Sequence, residues 1–318
     1  MTDIVPTNGH TAGVTFSDSL LSWFDDHERD LPWRADDVTA WQILISEIML
    51  QQTPVARVIP KWLEWIERWP VPSAMAADGV GEVVRAWGKL GYPRRAMRLH
   101  ECACVLARQF DDEVPRDVET LLTLPGVGDY TARAVACFAY DAPVPVVDIN
   151  VRRVIARAIH GRGDAGSPAR TDLADASALL PTRVDRAPRF SAALMELGAL
   201  VCTARSPSCD ACPLPSCAWV EAGRPAVTTP KKVQRFAGTD RQVRGLILDE
   251  FRSATGPVER GRIDTVWTTD PGQRERALDS LLADGLVETT DGTLFWLAGE
   301  GGEAQGSIAD RNASTAPR

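Results

Sequence analysis

One stretch, Leu124-Pro125-Gly126-Val127-Gly128-Asp129-Tyr130, constrains this chain more than any other. Pro125 stops a helix that starts near Asp117. The two glycines permit positive φ, and Ala132, Val135, Ala136 and Ala139 then resume an apolar helical stripe. The expected product is helix, tight turn, helix. Such a turn presents successive backbone N–H groups at a helix N-terminus with no side chain in front of them, which suits a phosphate. Arg133, Arg152, Arg153 and Arg157 are expected to extend that positive charge. The same five residues also serve as an ordinary helix connection, so a second segment carries weight. Val147-Asp148-Ile149-Asn150-Val151-Arg152-Arg153 places Asp148 just before an apolar helical pattern, at an N-cap position. Asp148 is then either a cap or a working carboxylate, its pKa held low by the helix terminus, facing the groove of the glycine turn.

At 318 residues, 44% hydrophobic and 25% charged, the chain can form about two domains with proper cores. No apolar run reaches the ~18 residues of a membrane span, and Met1 to Val14 lacks the basic-then-apolar order of a signal peptide. A cytoplasmic, nucleoid-associated monomer is expected. A net charge of −8 excludes a protein that coats nucleic acid by charge alone. Local groups, Arg94, Arg95 and Arg98 after Gly91-Tyr92, run against that average.

The segment from Trp41 to Gln52 reads as a helix apolar on nearly every side, and Glu47 is its lone charge. A lone Glu commonly lies on an outer face; here so little outer face remains that a partly buried carboxyl is the competing reading. Gln51, Gln52 and Thr53 follow with groups able to read bases. Arg29, Leu31, Trp33 and Arg34 surround a helix stop at Pro32, where Trp33 suits either the core or base contact.

Leu-Pro-Gly-Val-Gly with an Asp about twenty residues later resembles the helix–hairpin–helix and Gly/Pro–Asp signature of base-excision DNA glycosylases. Ser46-Glu47-Ile48-Met49-Leu50-Gln51-Gln52-Thr53 resembles the signature of its MutY adenine glycosylase branch. Leu31-Pro32-Trp33-Arg34, Leu90-Gly91-Tyr92 and Met195-Glu196-Leu197-Gly198-Ala199 support it, and the likeness covers roughly residues 15–222. It implies a mainly α, two-lobed HhH-GPD fold with DNA in the cleft. By the same resemblance Glu47, Asp148, Tyr130 and Asn150 are catalytic. Arg29, Leu31, Trp33, Arg34, Leu50, Gln52, Thr53, Tyr92, Gly126, Gly128 and Arg152 then contact DNA holding adenine opposite 8-oxoguanine or guanine. Lyase relatives carry Lys where this chain has Tyr130, and no Lys stands between Lys89 and Lys231. The enzyme is therefore expected to release the base without cutting the strand.

Cys202, Cys209, Cys212 and Cys217 form C-x6-C-x2-C-x4-C, which in a reducing compartment points to metal, and spacing alone leaves zinc and iron–sulfur open. The family resemblance implies a [4Fe–4S] cluster, although relatives usually have five residues before the last Cys. Residues 1–14 are expected to be a disordered lead, 223–240 a linker and 300–318 a disordered tail. Residues 241–299 read as an α+β winged-helix-like domain, with a hairpin at Asp291-Gly292, that binds DNA or a protein partner. That domain departs from the family. Relatives end in a Nudix-like domain with a Phe-Ser-His loop, and no His follows His160 here; Ala192 stands where they often carry Gln or Glu. A mismatch glycosylase of other base specificity and a non-enzymatic iron–sulfur DNA-binding regulator are the alternatives.

Overall fold

The computed structural model describes residues 15–226 and 236–301. The lead expected for 1–14, most of the expected tail and the middle of the expected linker lie outside them. Among the described residues no helix is long and apolar enough to cross a membrane. The chain divides into two compact units that do not follow chain order. One joins the residues up to Leu31 with Ala132 onward as far as 226, and the other joins Pro32–Thr131 with 236–301.

The first unit is built from α1 (Phe16–His27) and, later in the chain, α9 (Ile149–Ala158), α10 (Thr171–Leu179), α11 (Ala187–Leu200) and the short α12 (Ala218–Glu221). α1 is capped by Thr15, whose hydroxyl accepts from the Asp18 N–H. Leu20, Leu21 and Phe24 pack with Val151, Val154 and Ile155 of α9 and Phe190, Leu194 and Leu197 of α11 in one buried core. Burying each such side chain fully is worth about 1.5–3 kcal/mol. α9 and α11 approach closely because Gly198 has no side chain: a Cβ there would lie 2.7 Å from Asn150 Cβ and 2.9 Å from its carbonyl oxygen.

The second unit holds α2 (Ala40–Leu50), α3 (Val55–Arg68), α4 (Pro72–Ala77), α5 (Val80–Trp87), α6 (Arg94–Gln109) and the single turn α7 (Val118–Leu121), which starts near Asp117 as expected and is capped by it. α8 (Asp129–Tyr140) begins here and crosses the boundary at Thr131. Thr39 and Gln42 close a capping box at the start of α2. The core is rich in tryptophan. Trp65 stands edge-on to both Trp69 and Trp87, at centroid distances of 4.8 and 5.4 Å, and Trp33 packs edge-on against Trp62. Each buried indole needs an acceptor. Trp41 donates to Trp69 O, Trp62 to Gln42 O and Trp69 to Asp78 Oδ2, while Trp87 donates to Gly91 O and so fastens the turn before Tyr92.

Residues 236–301 belong to this same unit. Their order is α13 (Asp240–Ser253), β1 (Val258–Glu259), α14 (Arg260–Val266), α15 (Pro271–Ala283), β2 (Val287–Thr289) and β3 (Leu294–Leu297). The antiparallel sheet runs β1-β3-β2, with Val258 opposite Phe295 and Val287 opposite Leu297. This is the expected winged-helix order plus β1, a two-residue strand too short to show alternation in sequence. The domain docks on α5 and α6. Arg85 pairs with Glu300 (2.8 Å) and donates to Phe251 O, Arg252 donates to Val84 O, and Arg94 reaches Asp284 (3.3 Å), which Arg244 also holds (2.6 Å).

Candidate active site

In the second unit, Ile43 to Met49 are all buried, and Glu47, only 5% exposed, is among them. The reading that kept this carboxyl inside is the one the fold adopts. At the C-terminal end of α2 the chain turns through half-buried Gln51, exposed Gln52 and buried Thr53, and Gln52 adopts φ 57°. A non-glycine residue in the left-handed region is uncommon and costs roughly 1–2 kcal/mol. Tyr92 does the same, at φ 49° and 42% exposed.

Arg95 joins these two tips. Its guanidinium donates to the carbonyls of Ile48 (2.8 Å), Gln51 (2.6 Å) and Gly91 (3.0 Å) and to Thr53 Oγ1 (3.1 Å). It thereby satisfies carbonyls that the end of α2 leaves open. Burial pushes its pKa down to about 10, so it stays charged at neutral pH. From sequence Arg95 reads only as one of a local basic group with Arg94 and Arg98; in the fold it is an internal clamp on the turns that carry Gln52 and Tyr92.

The hairpin stands beside them. Leu124 and Val127 are buried, Val127 N–H donates to Leu124 O (3.2 Å), and Gly126 adopts φ 78°. A Cβ at Gly126 would meet Arg98 Cβ at 2.8 Å, so the site demands glycine twice over. Gly128, also expected to use positive φ, does not; it has no atom within 4 Å of where a Cβ would stand. Its glycine leaves open space in front of the backbone at the start of α8. Ile48, Gln51, Arg94, Arg95, Arg98 and Gly126 line one depression of about 290 Å³, and Gln51 Nε2 donates to Thr131 at 3.4 Å. Tyr130, half-buried, lies in the first turn of α8.

In the first unit Asp148 caps α9. Its Oδ1 accepts from Val151 N–H and its Oδ2 from Asn150 Nδ2, both at 2.7 Å. Asn150 Oδ1 accepts in turn from Arg153 Nη2 (2.7 Å), which also donates to Gly198 O, while Arg153 Nε donates to Cys202 O (2.7 Å). Asp148 is thus both a cap and the first member of a bonded chain that ends at a cysteine ligand candidate. Its pKa contradicts the low value expected. Burial raises it above the usual carboxylate range, and the hydrogen bonds from Val151 and Asn150 and the Arg153 charge offset only part of that.

The arginines expected around the glycine turn go inward. Arg152, 8% exposed, pairs with Asp172 at 2.7 Å and donates to the Ala165 and Gly166 carbonyls. Arg157, 3% exposed, donates to Gly163 O, Thr203 O and Ala204 O and to Cys202 Sγ (3.4 Å). Arg29 grips buried Glu196 through two parallel bonds of 2.7 and 2.8 Å. Leu31 and Trp33 are buried, and Arg34 and Leu50 half-buried.

Cys202, Cys209, Cys212 and Cys217 all line one cavity of about 300 Å³, with Leu214 and Trp219 in its wall. Among the described residues no three His, Cys, Asp or Glu side chains converge as a single ion requires. Four half-buried thiols around one cavity are a donor set that fits an iron–sulfur cluster. Arg157, stacked on Trp219 at 4.9 Å, braces the loop that carries them.

Comparison with known proteins agrees with this architecture. Residues 45–173 match the HhH-GPD superfamily of base excision DNA repair proteins, and residues 202–214 match the iron-sulfur binding domain of endonuclease III. A thermostable thymine-DNA glycosylase of known structure superposes with a TM-score of 0.60 at 28% identity, covering 65% of this chain and 95% of that one. The adenine DNA glycosylase of Mycolicibacterium smegmatis is 67% identical over 89% of this chain and 96% of its own length. That of Mycobacterium tuberculosis is 59% identical over 95% and 100%. The chain belongs to the adenine DNA glycosylase family of the HhH-GPD superfamily and carries its iron–sulfur loop.

Proposed function

We propose that this enzyme hydrolyses the N-glycosidic bond of adenine lying opposite 8-oxoguanine or guanine in duplex DNA, and leaves the strand uncut. The observation that carries the reading is Glu47, a carboxyl enclosed in α2 one turn before the exposed, strained Gln52 tip. A base stacked in a duplex is out of reach, so adenine is flipped out, with Gln52 and Tyr92 filling the space it leaves. The backbone at Gly126 and Gly128 takes a neighbouring phosphate.

Adenine is a poor leaving group as an anion. Glu47 gives its proton to a ring nitrogen as the bond electrons move onto the base, and positive charge develops at C1′. Asp148, ionised at that moment, faces that charge as an electrostatic partner or transient nucleophile. Its burial, which makes it a reluctant anion alone, strengthens its interaction with a cation. Water then adds to C1′ and yields its proton to the Glu47 carboxylate. Asn150 holds Asp148, and Tyr130 positions water or phosphate. With Tyr130 in place of an amine no Schiff base forms, so no lyase step follows. A [4Fe–4S] cluster on the four cysteines supplies structure to the 202–217 loop and no redox step. The enzyme acts on DNA in the cytoplasm, at the nucleoid, as a monomer.

The test is single-turnover cleavage of duplexes differing only in the base opposite adenine, with a G:T duplex as control and alkali added afterwards. Adenine release opposite 8-oxoguanine, with breaks only after alkali, is the expected result. Release of thymine but not adenine, or breaks without alkali, would overturn the reading.

A further inference from the structure

The winged-helix-like domain has no part in the chemistry above, yet it reaches one of the residues placed in the DNA contact. Arg241, in the first turn of α13, lays its guanidinium carbon 4.3 Å from the centroid of the Tyr92 ring, and Arg95 lies 5.6 Å from the same ring. Tyr92 therefore sits between two cations. They differ in commitment. Arg95 is bound to five backbone and side-chain oxygens inside the fold, whereas Arg241 is exposed, and among the described residues no carboxylate lies within 4 Å of it. Its neighbour Asp240 is turned towards α15, accepting from Gln273 Nε2 (2.9 Å) and lying 3.7 Å from Arg276.

The other basic groups on this surface carry counter-charges: Arg94 pairs with Asp284, and Arg98 with Glu101 at 2.6 Å. Nor does α15, the helix with which winged-helix modules usually enter DNA, offer a free cationic face. Arg274 is 12% exposed and spent on Asp264 and two carbonyls. An uncompensated guanidinium, held over an exposed aromatic ring by a docked domain, is suited to a backbone phosphate. Asp284 of the same domain pairs with Arg94 of α6 and with Arg244 of α13, the helix that carries Arg241, so docking ties that helix to the surface that bears Tyr92.

We propose that the C-terminal domain is part of the DNA surface through Arg241, which steadies Tyr92 and binds a phosphate of the strand that Tyr92 enters. This rests on the reading of Tyr92 as a DNA contact given above. The domain thereby supplies a DNA contact by a route different from a recognition helix or an inserted loop.

The experiment measures duplex affinity of the full-length enzyme with its cluster as a function of salt, for wild type, Arg241→Gln, Arg241→Lys and Arg241→Glu. One lost phosphate contact makes the slope of log K against log salt shallower by about 0.9. Arg241→Gln is expected to show that change and roughly tenfold weaker binding. Arg241→Lys is expected to keep the slope, and Arg241→Glu to bind more weakly still. An unchanged slope in Arg241→Gln and Arg241→Glu would overturn the proposal, leaving Arg241 a packing residue and the domain a candidate for protein docking. Because the readout is affinity, it stands apart from base specificity: a wild-type enzyme that releases adenine while the slope stays fixed sinks only the role of Arg241. A wild type that binds but releases no adenine sinks only the assigned reaction.

Discussion

The two glycines of the hairpin make a sharp test because the structure gives them different jobs. At Gly126 an added methyl meets two obstacles. Its φ of 78° costs a side-chain-bearing residue about 1–2 kcal/mol. Its Cβ would also stand 2.8 Å from Arg98 Cβ, an atom fixed to α6 that cannot swing away, and such overpacking costs about 1–3 kcal/mol. Gly126→Ala is therefore expected to lose about 2–5 kcal/mol, a fall of roughly 4–20 °C in Tm for a domain of this size. Gly128→Ala meets nothing within 4 Å. The smaller entropy of its unfolded state and the poorer cap nearly cancel, leaving stability within about 1 kcal/mol of wild type. What it does obstruct is the space in front of the backbone N–H groups. Losing one hydrogen bond to a charged phosphate is worth about 1.5–3 kcal/mol, hence about ten- to hundredfold in Kd. Thermal melts and duplex titrations of the two variants separate the roles. A Gly128→Ala enzyme that melts and binds like wild type would refute the phosphate cradle, and a Gly126→Ala enzyme of unchanged Tm would refute the packing argument.

Glu47→Gln is expected to slow adenine release by about 10²–10⁴-fold while duplex affinity stays within a few fold; equal loss of both would show a structural part for Glu47 instead. Asp148→Asn should also abolish turnover, and its effect on stability has a definite sign. The folded pKa of Asp148 lies above its ordinary 3.8, so its contribution to stability is full below that value and fades as pH rises through the folded pKa. Asn keeps the cap without the charge, so at neutral pH Asp148→Asn should melt no lower than wild type, and a clear drop in Tm there would contradict the burial argument. Arg157→Ala removes donors to Gly163, Thr203, Ala204 and Cys202 Sγ. Less iron per purified chain and weaker visible absorbance are expected, and full iron content would show that the loop holds without its brace.

The residues legible from sequence were those whose role is local. The hairpin announces itself because a tight turn before a helix requires glycine, and Asp148 because a cap is set by its own next three residues. Gln52 and Tyr92, expected from the resemblance to contact DNA, are exposed, and their exposure follows from turns that Arg95 and the Trp87 indole hold in place. What sequence did not disclose is where a guanidinium goes. Arg95, Arg152, Arg153 and Arg157 looked alike as clustered charge, yet all four turn inward. Arg95 serves carbonyls more than forty positions earlier in the chain, and Arg153 serves Gly198 and Cys202 more than forty later. No periodicity encodes such pairings, because a carbonyl acceptor exists at every residue and only the tertiary fold selects one.

The same gap explains the error over Asp148. Its cap bonds lower the pKa and are visible in the motif; the burial that outweighs them comes from packing around α9, which no motif carries. The two effects belong together in function. The bonds from Val151, Asn150 and, through Asn150, Arg153 fix the direction of the carboxylate. Desolvation keeps water from satisfying it. A carboxylate that is oriented but poorly solvated gains most when positive charge appears beside it, and in the proposed mechanism that charge is the one developing at C1′ as adenine leaves. Gly198 makes this arrangement possible, since any side chain there would drive α11 away from Asn150 and release the far end of that chain of bonds.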